Sequence, residues 1–147
     1  LTDFLRFLAP PHRRGGASEQ DLEVIARGGE LFASVGCSSC HVPAMSTGPS
    51  EVAALDHKRV ELYSDLLLHD MGPGLSTVCT PTSSVTELRT EPLMGLGRRG
   101  VYLHDSRTNV LREAIMMHGG EATQVRARFN ALGELQQHAL IRFLPTL

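Results

Sequence analysis

Apolar residues recur at helical spacing in four stretches of the chain. Leu1, Phe4, Leu5 and Leu8 keep that spacing up to Pro10-Pro11, which cannot continue a helix, so a short helix running out of an earlier region is predicted. Ser18 then precedes Glu19, Gln20 and Asp21, a capping residue followed by an acidic first turn. The apolar positions Leu22, Val24, Ile25, Leu31 and Phe32 extend the prediction to a helix over about Glu19 to Ser34, with Gly28-Gly29 inside it. Val110, Leu111, Ala114, Ile115 and His118 share one helical face that stops at Gly119-Gly120. A last helix carries Leu132, Leu135, Ala139, Leu140, Phe143 and Leu144 and ends at Pro145.

The chain between these helices lacks a period. Ser38 to Leu55 is rich in Ser, Pro, Gly and Thr and reads as loop, and Leu62 to Leu68 is a short apolar run, either a helical turn or an extended piece. His69 to Glu91, with Gly72-Pro73-Gly74, reads as irregular structure. The expectation is an all-α chain whose helices are joined by long loops. Loops of this length are unusual in a compact domain unless something other than secondary structure organises them.

Composition sharpens this. The 147 residues suit one domain, with residues 1–16 as the tail of a preceding region and a linker (His12 to Ala17, rich in Arg and Gly) and residues 17–147 as the domain proper. The start at Leu1 without Met is expected of a mature product or the C-terminal part of a longer chain. A net charge of −2, from 14 basic and 16 acidic residues, gives no basic footprint for nucleic acid. No apolar run reaches the roughly 18 residues of a transmembrane helix, and no secretion signal opens the chain. Apolar residues reach 41% but aromatics only 5%, with no Trp, so a large cofactor would supply apolar mass that the side chains do not.

That cofactor is suggested by Cys37-Ser38-Ser39-Cys40-His41, the attachment spacing for c-type haem. Two thiols three residues apart each add across one porphyrin vinyl group, and the adjacent His41 faces the iron as proximal ligand. The alternatives are a redox dithiol, which wants a strand before the motif and a helix after it, or zinc, which wants a second ligand pair; neither context is present. One covalent haem c per chain is therefore expected, and with it a periplasmic location, because bacteria attach haem covalently outside the cytosol. Gly29 and Phe32 would let the terminal helix cross closely, a packing similar to that of cytochrome c domains. Cys79 is left as a loop cysteine.

The second axial position decides between closed electron transfer and an open catalytic site. His118 ends an apolar helical face and points towards the core; Met71 lies beside a flexible Gly-Pro-Gly loop from which a thioether reaches iron; Met94 sits in an apolar stretch where Met commonly fills space. His69 and His104 are more remote candidates. Among Arg89, Arg98, Arg99 and Arg107, Arg89 is the preferred partner for a haem propionate because it sits between the two Met loops.

Several segments carry a resemblance: Tyr63-Ser64-Asp65-Leu66-Leu67-Leu68-His69-Asp70-Met71-Gly72-Pro73-Gly74, Glu87-Leu88-Arg89-Thr90-Glu91-Pro92-Leu93-Met94-Gly95-Leu96-Gly97, Tyr102-Leu103-His104-Asp105 and His118-Gly119-Gly120-Glu121-Ala122, with Leu1-Thr2-Asp3-Phe4 and Leu8-Ala9-Pro10-Pro11 at the start. In this order they resemble the C-terminal haem domain of the dihaem oxidoreductase family, described as thiol oxidoreductases or peroxidases and more distantly similar to dihaem cytochrome c peroxidases and MauG-like enzymes. The resemblance implies a cytochrome c-like haem domain, periplasmic placement, and redox work shared with a second haem domain or redox protein. It also implies that His118 occupies the distal position and that Met71 stands where relatives carry an aliphatic residue, so a His41/His118 iron pair is expected. The chain departs from the family pattern at Met94, where Trp is usual, and at Ser106, where Gly is usual. It holds a single CxxCH, so the partner haem is expected elsewhere and peroxidase activity is not expected of this chain alone.

Three functions remain open at this point. The first is an electron-transfer haem domain closed by two protein ligands. The second is an oxidoreductase site with a displaceable distal ligand, using His69 or Glu121 as acid or base. The third is a haem-organised docking module presenting the loops Ala44 to Val52 and Thr80 to Glu87.

Overall fold

The computed structural model describes residues 1–11, 18–78 and 83–147. The expected linker His12 to Ala17 and Cys79 lie outside the described residues.

Among the described residues, five α-helices form the main framework. Helix α1 (Thr2–Arg6) ends ahead of Pro10-Pro11 and leaves Phe4 66% exposed. Helix α2 (Glu19–Val35) starts where the Ser18 hydroxyl accepts the Asp21 N–H at 3.2 Å and ends at Gly36, whose φ of 101° a side chain would resist. It buries Gly28, Leu31, Phe32 and Val35, the i, i+3, i+4, i+7 stripe of an amphipathic helix. That stripe packs on Ala139, Leu140 and Phe143 of α5 (Glu134–Phe143). The two helices touch at Gly28, where a Cβ would lie 2.2 Å from the Ala139 carbonyl oxygen, while the neighbouring Gly29 faces the Phe143 ring. The close crossing thus depends on Gly28 more than on the Gly29 expected from sequence.

Phe32, Tyr63 and Phe143 cluster with ring centroids 5.6–6.3 Å apart, in tilted and edge contacts worth about 0.5–1.5 kcal/mol each beyond burial. Helix α4 (Thr123–Asn130) adds the fully buried Phe129 to this core. Sequence pattern missed α4 because its other positions are mostly polar. The predicted last helix divides: Leu132 lies in the turn before α5, and a 3₁₀ turn over Leu144–Thr146 follows it with Pro145 inside. Helix α3 (Leu111–Met116) stops two residues before His118.

The fold is therefore mainly helical rather than purely so. Strands β1 (Met45–Ser46) and β2 (Arg59–Val60) form one antiparallel ribbon. Strands β3 (Leu68–Asp70) and β4 (Glu87–Arg89) form another, with His69 opposite Leu88. Strands of two or three residues are too short to show alternation, so the sequence read them as loop or as an undecided apolar run.

Candidate functional site

Because α2 ends in a left-handed glycine, the chain turns at once into a 3₁₀ turn over Cys37–Ser39, and the His41 N–H returns to the Cys37 carbonyl at 3.0 Å. This wind gathers Cys37, Cys40 and His41 into little more than one turn. Arg128 of α4 braces it, its Nε donating to the Val35 carbonyl at 2.6 Å at the negative end of the α2 dipole. Burial pushes the Cys37 thiol up to about 11, and burial, with the charges of Asp65 and Glu121, also raises that of Cys40. Both sulfurs are neutral thiols near pH 7, whereas a catalytic dithiol depends on a lowered thiolate pKa.

His41 is oriented by a residue that sequence reasoning passed over. Its Nδ1–H donates to the Tyr63 carbonyl at 3.1 Å. A carbonyl only accepts, so Nδ1 holds the proton and Nε2 carries the lone pair. Burial pulls the imidazole pKa down to about 4, with His118 and His69 adding like charge, so the ring is neutral. The Tyr63 carbonyl is aimed by a strained segment: Tyr63 and Leu66 have φ of 54° and 61°, and fully buried Ser64 ties it down by donating to the Thr90 carbonyl at 2.7 Å.

His118 repeats the arrangement. Its Nδ1–H donates to the Ala114 carbonyl at 2.8 Å, one helical turn back, and burial followed by the Arg126 charge lowers its pKa. It lies near enough to His41 to affect that ring's protonation. Neither Nε2 has a protein partner among the described residues. No fully enclosed side-chain N or O among them lacks one, so each Nε2 opens onto accessible space. Two imidazoles with backbone-locked Nδ1–H, and with Nε2 unpartnered among the described residues, are donors that could ligate a haem iron, and the paired thiols beside His41 could bond its vinyl groups.

The other expected residues are placed as follows. Met71 is half-buried; its N–H donates to the Thr86 carbonyl at 2.8 Å, and its own carbonyl lies against Gly119, next to His118. Arg89 stands exposed on β4 opposite Leu68 and makes no ion pair among the described residues. Arg99 pairs with Glu91 at 2.6 Å, and Arg107 pairs with Asp105 and donates to the Gly74 carbonyl at 2.7 Å, so these two are already engaged. Met94 is half-buried, and the His104 Nε2 lies 3.2 Å from the Ser76 carbonyl.

His69 sits between two carboxylates, Nε2 to Asp65 and Nδ1 to Glu121, both at 2.9 Å. Only imidazolium donates from both nitrogens, and the Glu121 bond leads the causes that raise its pKa. Cys40 Sγ lies 3.9 Å from Nδ1, and the ligand atoms of Cys40, Asp65 and His69 fall within 4.8 Å of one another. Both ring nitrogens of His69 are bound to carboxylates, so this arrangement leaves it none with which to ligate a metal ion.

Residues 3–147 match the family model described as "Di-haem oxidoreductase, putative peroxidase". No curated protein and no solved structure matches the chain.

Proposed function

The chain belongs to the di-haem oxidoreductase family, and we propose that it acts there as a c-type haem electron-transfer domain with a cytochrome c-like fold over residues 17–147. In this reading Cys37 and Cys40 would hold one haem c covalently through thioethers, His41 and His118 would ligate its iron, and Arg89 would offer a guanidinium to a propionate. Met71 contributes contact beside His118 rather than ligation. The observation that carries the reading is the matched pair of imidazoles, each with Nδ1–H on a backbone carbonyl and Nε2 free. Haem bound there supplies a one-electron ferric/ferrous couple.

The residues of this chain then set its properties. The Tyr63 and Ala114 carbonyls fix the tautomers and ring planes of His41 and His118, which limits reorganisation as charge changes. Two imidazoles give a lower potential than a His/Met pair, within the ~0.8 V that axial ligands span. The partner is a second haem domain or another redox protein, the location is the periplasm, and no helix among the described residues is long and apolar enough to cross a membrane. An acid or base role for His69 is less well supported, because both its nitrogens are already bound to carboxylates.

Absorption and EPR spectra of the ferric protein test the reading. Low-spin iron is expected, and His118→Ala should convert it to a high-spin form that binds cyanide. A wild type that is predominantly high-spin and takes up cyanide directly would overturn the closed pair, and an unchanged spectrum in His118→Ala would remove His118 from it.

A further inference from the structure

Asp65, His69 and Glu121 are separated by up to 56 positions in the chain yet form one line of contacts. The line begins at the attachment turn, where the Cys40 carbonyl accepts the Asp65 N–H at 2.9 Å. Asp65 Oδ2 then meets His69 Nε2, and His69 Nδ1 meets Glu121 Oε2. The second Glu121 oxygen accepts the Asp70 N–H at 3.0 Å. Glu121 lies three residues beyond His118, and the glycines between them bring the two backbones together: a Cβ on Gly120 would lie 2.0 Å from the Asp70 carbonyl oxygen, and one on Gly119 2.7 Å from that of Met71. Asp65 and His69 are 13% and 17% exposed in their side chains, so the inner half of the line is shielded from solvent, while Glu121 at 57% is its outer end.

We infer that Asp65, His69 and Glu121 form a charged clamp that ties the His118-bearing turn to the attachment turn, as positioning residues that keep His118 at the distal face. The inference rests on the His41/His118 reading above. His118 lies past the end of a six-residue helix, held from that side by its ring on the Ala114 carbonyl and its N–H on the Ile115 carbonyl at 3.1 Å. On its other side it is held by the segment that follows it, which Glu121 fastens. With the clamp released, the His118 turn departs more often and leaves the iron open to small ligands; the clamp thus governs how closed the site is without touching the iron.

The test compares the ferric holoprotein with Glu121→Ala and Glu121→Gln. The wild type is expected to be low-spin. Glu121→Ala should show a mixed spin state and associate with cyanide about five- to tenfold faster, the scale of losing one partly shielded ion pair. Glu121→Gln keeps an acceptor for the Asp70 amide without the charge, so its acceleration should be smaller. Arg142→Ala breaks a surface ion pair with Asp21 (2.5 Å) and should leave spectrum and cyanide rate unchanged. A low-spin wild type whose two Glu121 variants keep its spectrum and cyanide rate would overturn the clamp alone. If Glu121→Ala loads no haem, Glu121→Gln decides: a faster cyanide rate supports the clamp and an unchanged one overturns it. A high-spin wild type overturns the axial pair and the clamp with it.

Discussion

His69 is a cation because of its neighbours, and that makes its contribution depend on pH in a defined direction. Its pKa is raised, first by the Glu121 hydrogen bond and then by Asp65. A raised histidine stabilises the fold fully below its unfolded value of about 6.5, and the stabilisation is lost as pH rises through the folded value. Glu121 runs the other way: its pKa is lowered, chiefly by His69, so its share is present above the unfolded value of about 4.3 and is lost as pH falls through the folded one. The melting-temperature advantage of the wild type over His69→Gln should therefore be largest near pH 6 and shrink on the alkaline side. A difference that stays flat from there to pH 9 would contradict the imidazolium assignment. His41 and His118 differ from His69 at the same scale: each has a carbonyl on Nδ1 and, among the described residues, no partner on Nε2, whereas both nitrogens of His69 are engaged.

At the scale of elements, the α2–α5 crossing fixes α2, whose end at Gly36 leads directly into the Cys37–Ser39 turn. Gly28→Ala places a methyl 2.2 Å from the Ala139 oxygen and 2.6 Å from Phe143 Cβ, both close to the backbone and unable to move aside cheaply. The helix-propensity gain of about 1 kcal/mol is outweighed, and a net loss of about 2–3 kcal/mol is expected in urea unfolding. Gly48→Ala, which meets nothing within 4 Å, should be nearly neutral. Equal stabilities for the two variants would refute the close crossing. Much of α2 was legible beforehand: Ser18, the acidic first turn and the apolar stripe are local signals. Which of Gly28 and Gly29 meets the α5 backbone was not, because a 100° step between neighbours decides it and only the partner helix defines the face. Helix α4 escaped for a related reason: its core contacts come from Val125 and Phe129, and a single i, i+4 pair among mostly polar residues is too short to set a period.

For the whole molecule, the buried apolar residues concentrate in α2, α4 and α5, with Tyr63, Leu96 and the C-terminal turn joined to them. The described residues among 42–110 contribute few buried side chains, and three of those, Ser64, Thr90 and Thr108, are polar. Long irregular chain with so little apolar core of its own depends on its hydrogen bonds and, in the proposed reading, on the haem that Cys37 and Cys40 would hold. In a Cys37→Ala/Cys40→Ala chain, unable to attach haem, amide exchange over residues 62–75 and 84–99 should accelerate at least about tenfold while α2 and α5 stay protected. Equal protection in both forms would show that the loops organise themselves.

By itself the sequence determined what local spacing can carry: the paired thiols with His41 beside them, the α2 cap and stripe, and a His on an apolar face at position 118. It also held Tyr63, Asp65, His69 and Glu121 in plain view without showing their work. The tertiary structure decided that, because the Tyr63 carbonyl reaches His41 across 22 positions and Glu121 reaches His69 across 52. Protonation follows from who accepts the hydrogen bond, and partners that far apart in sequence meet only when the chain has folded.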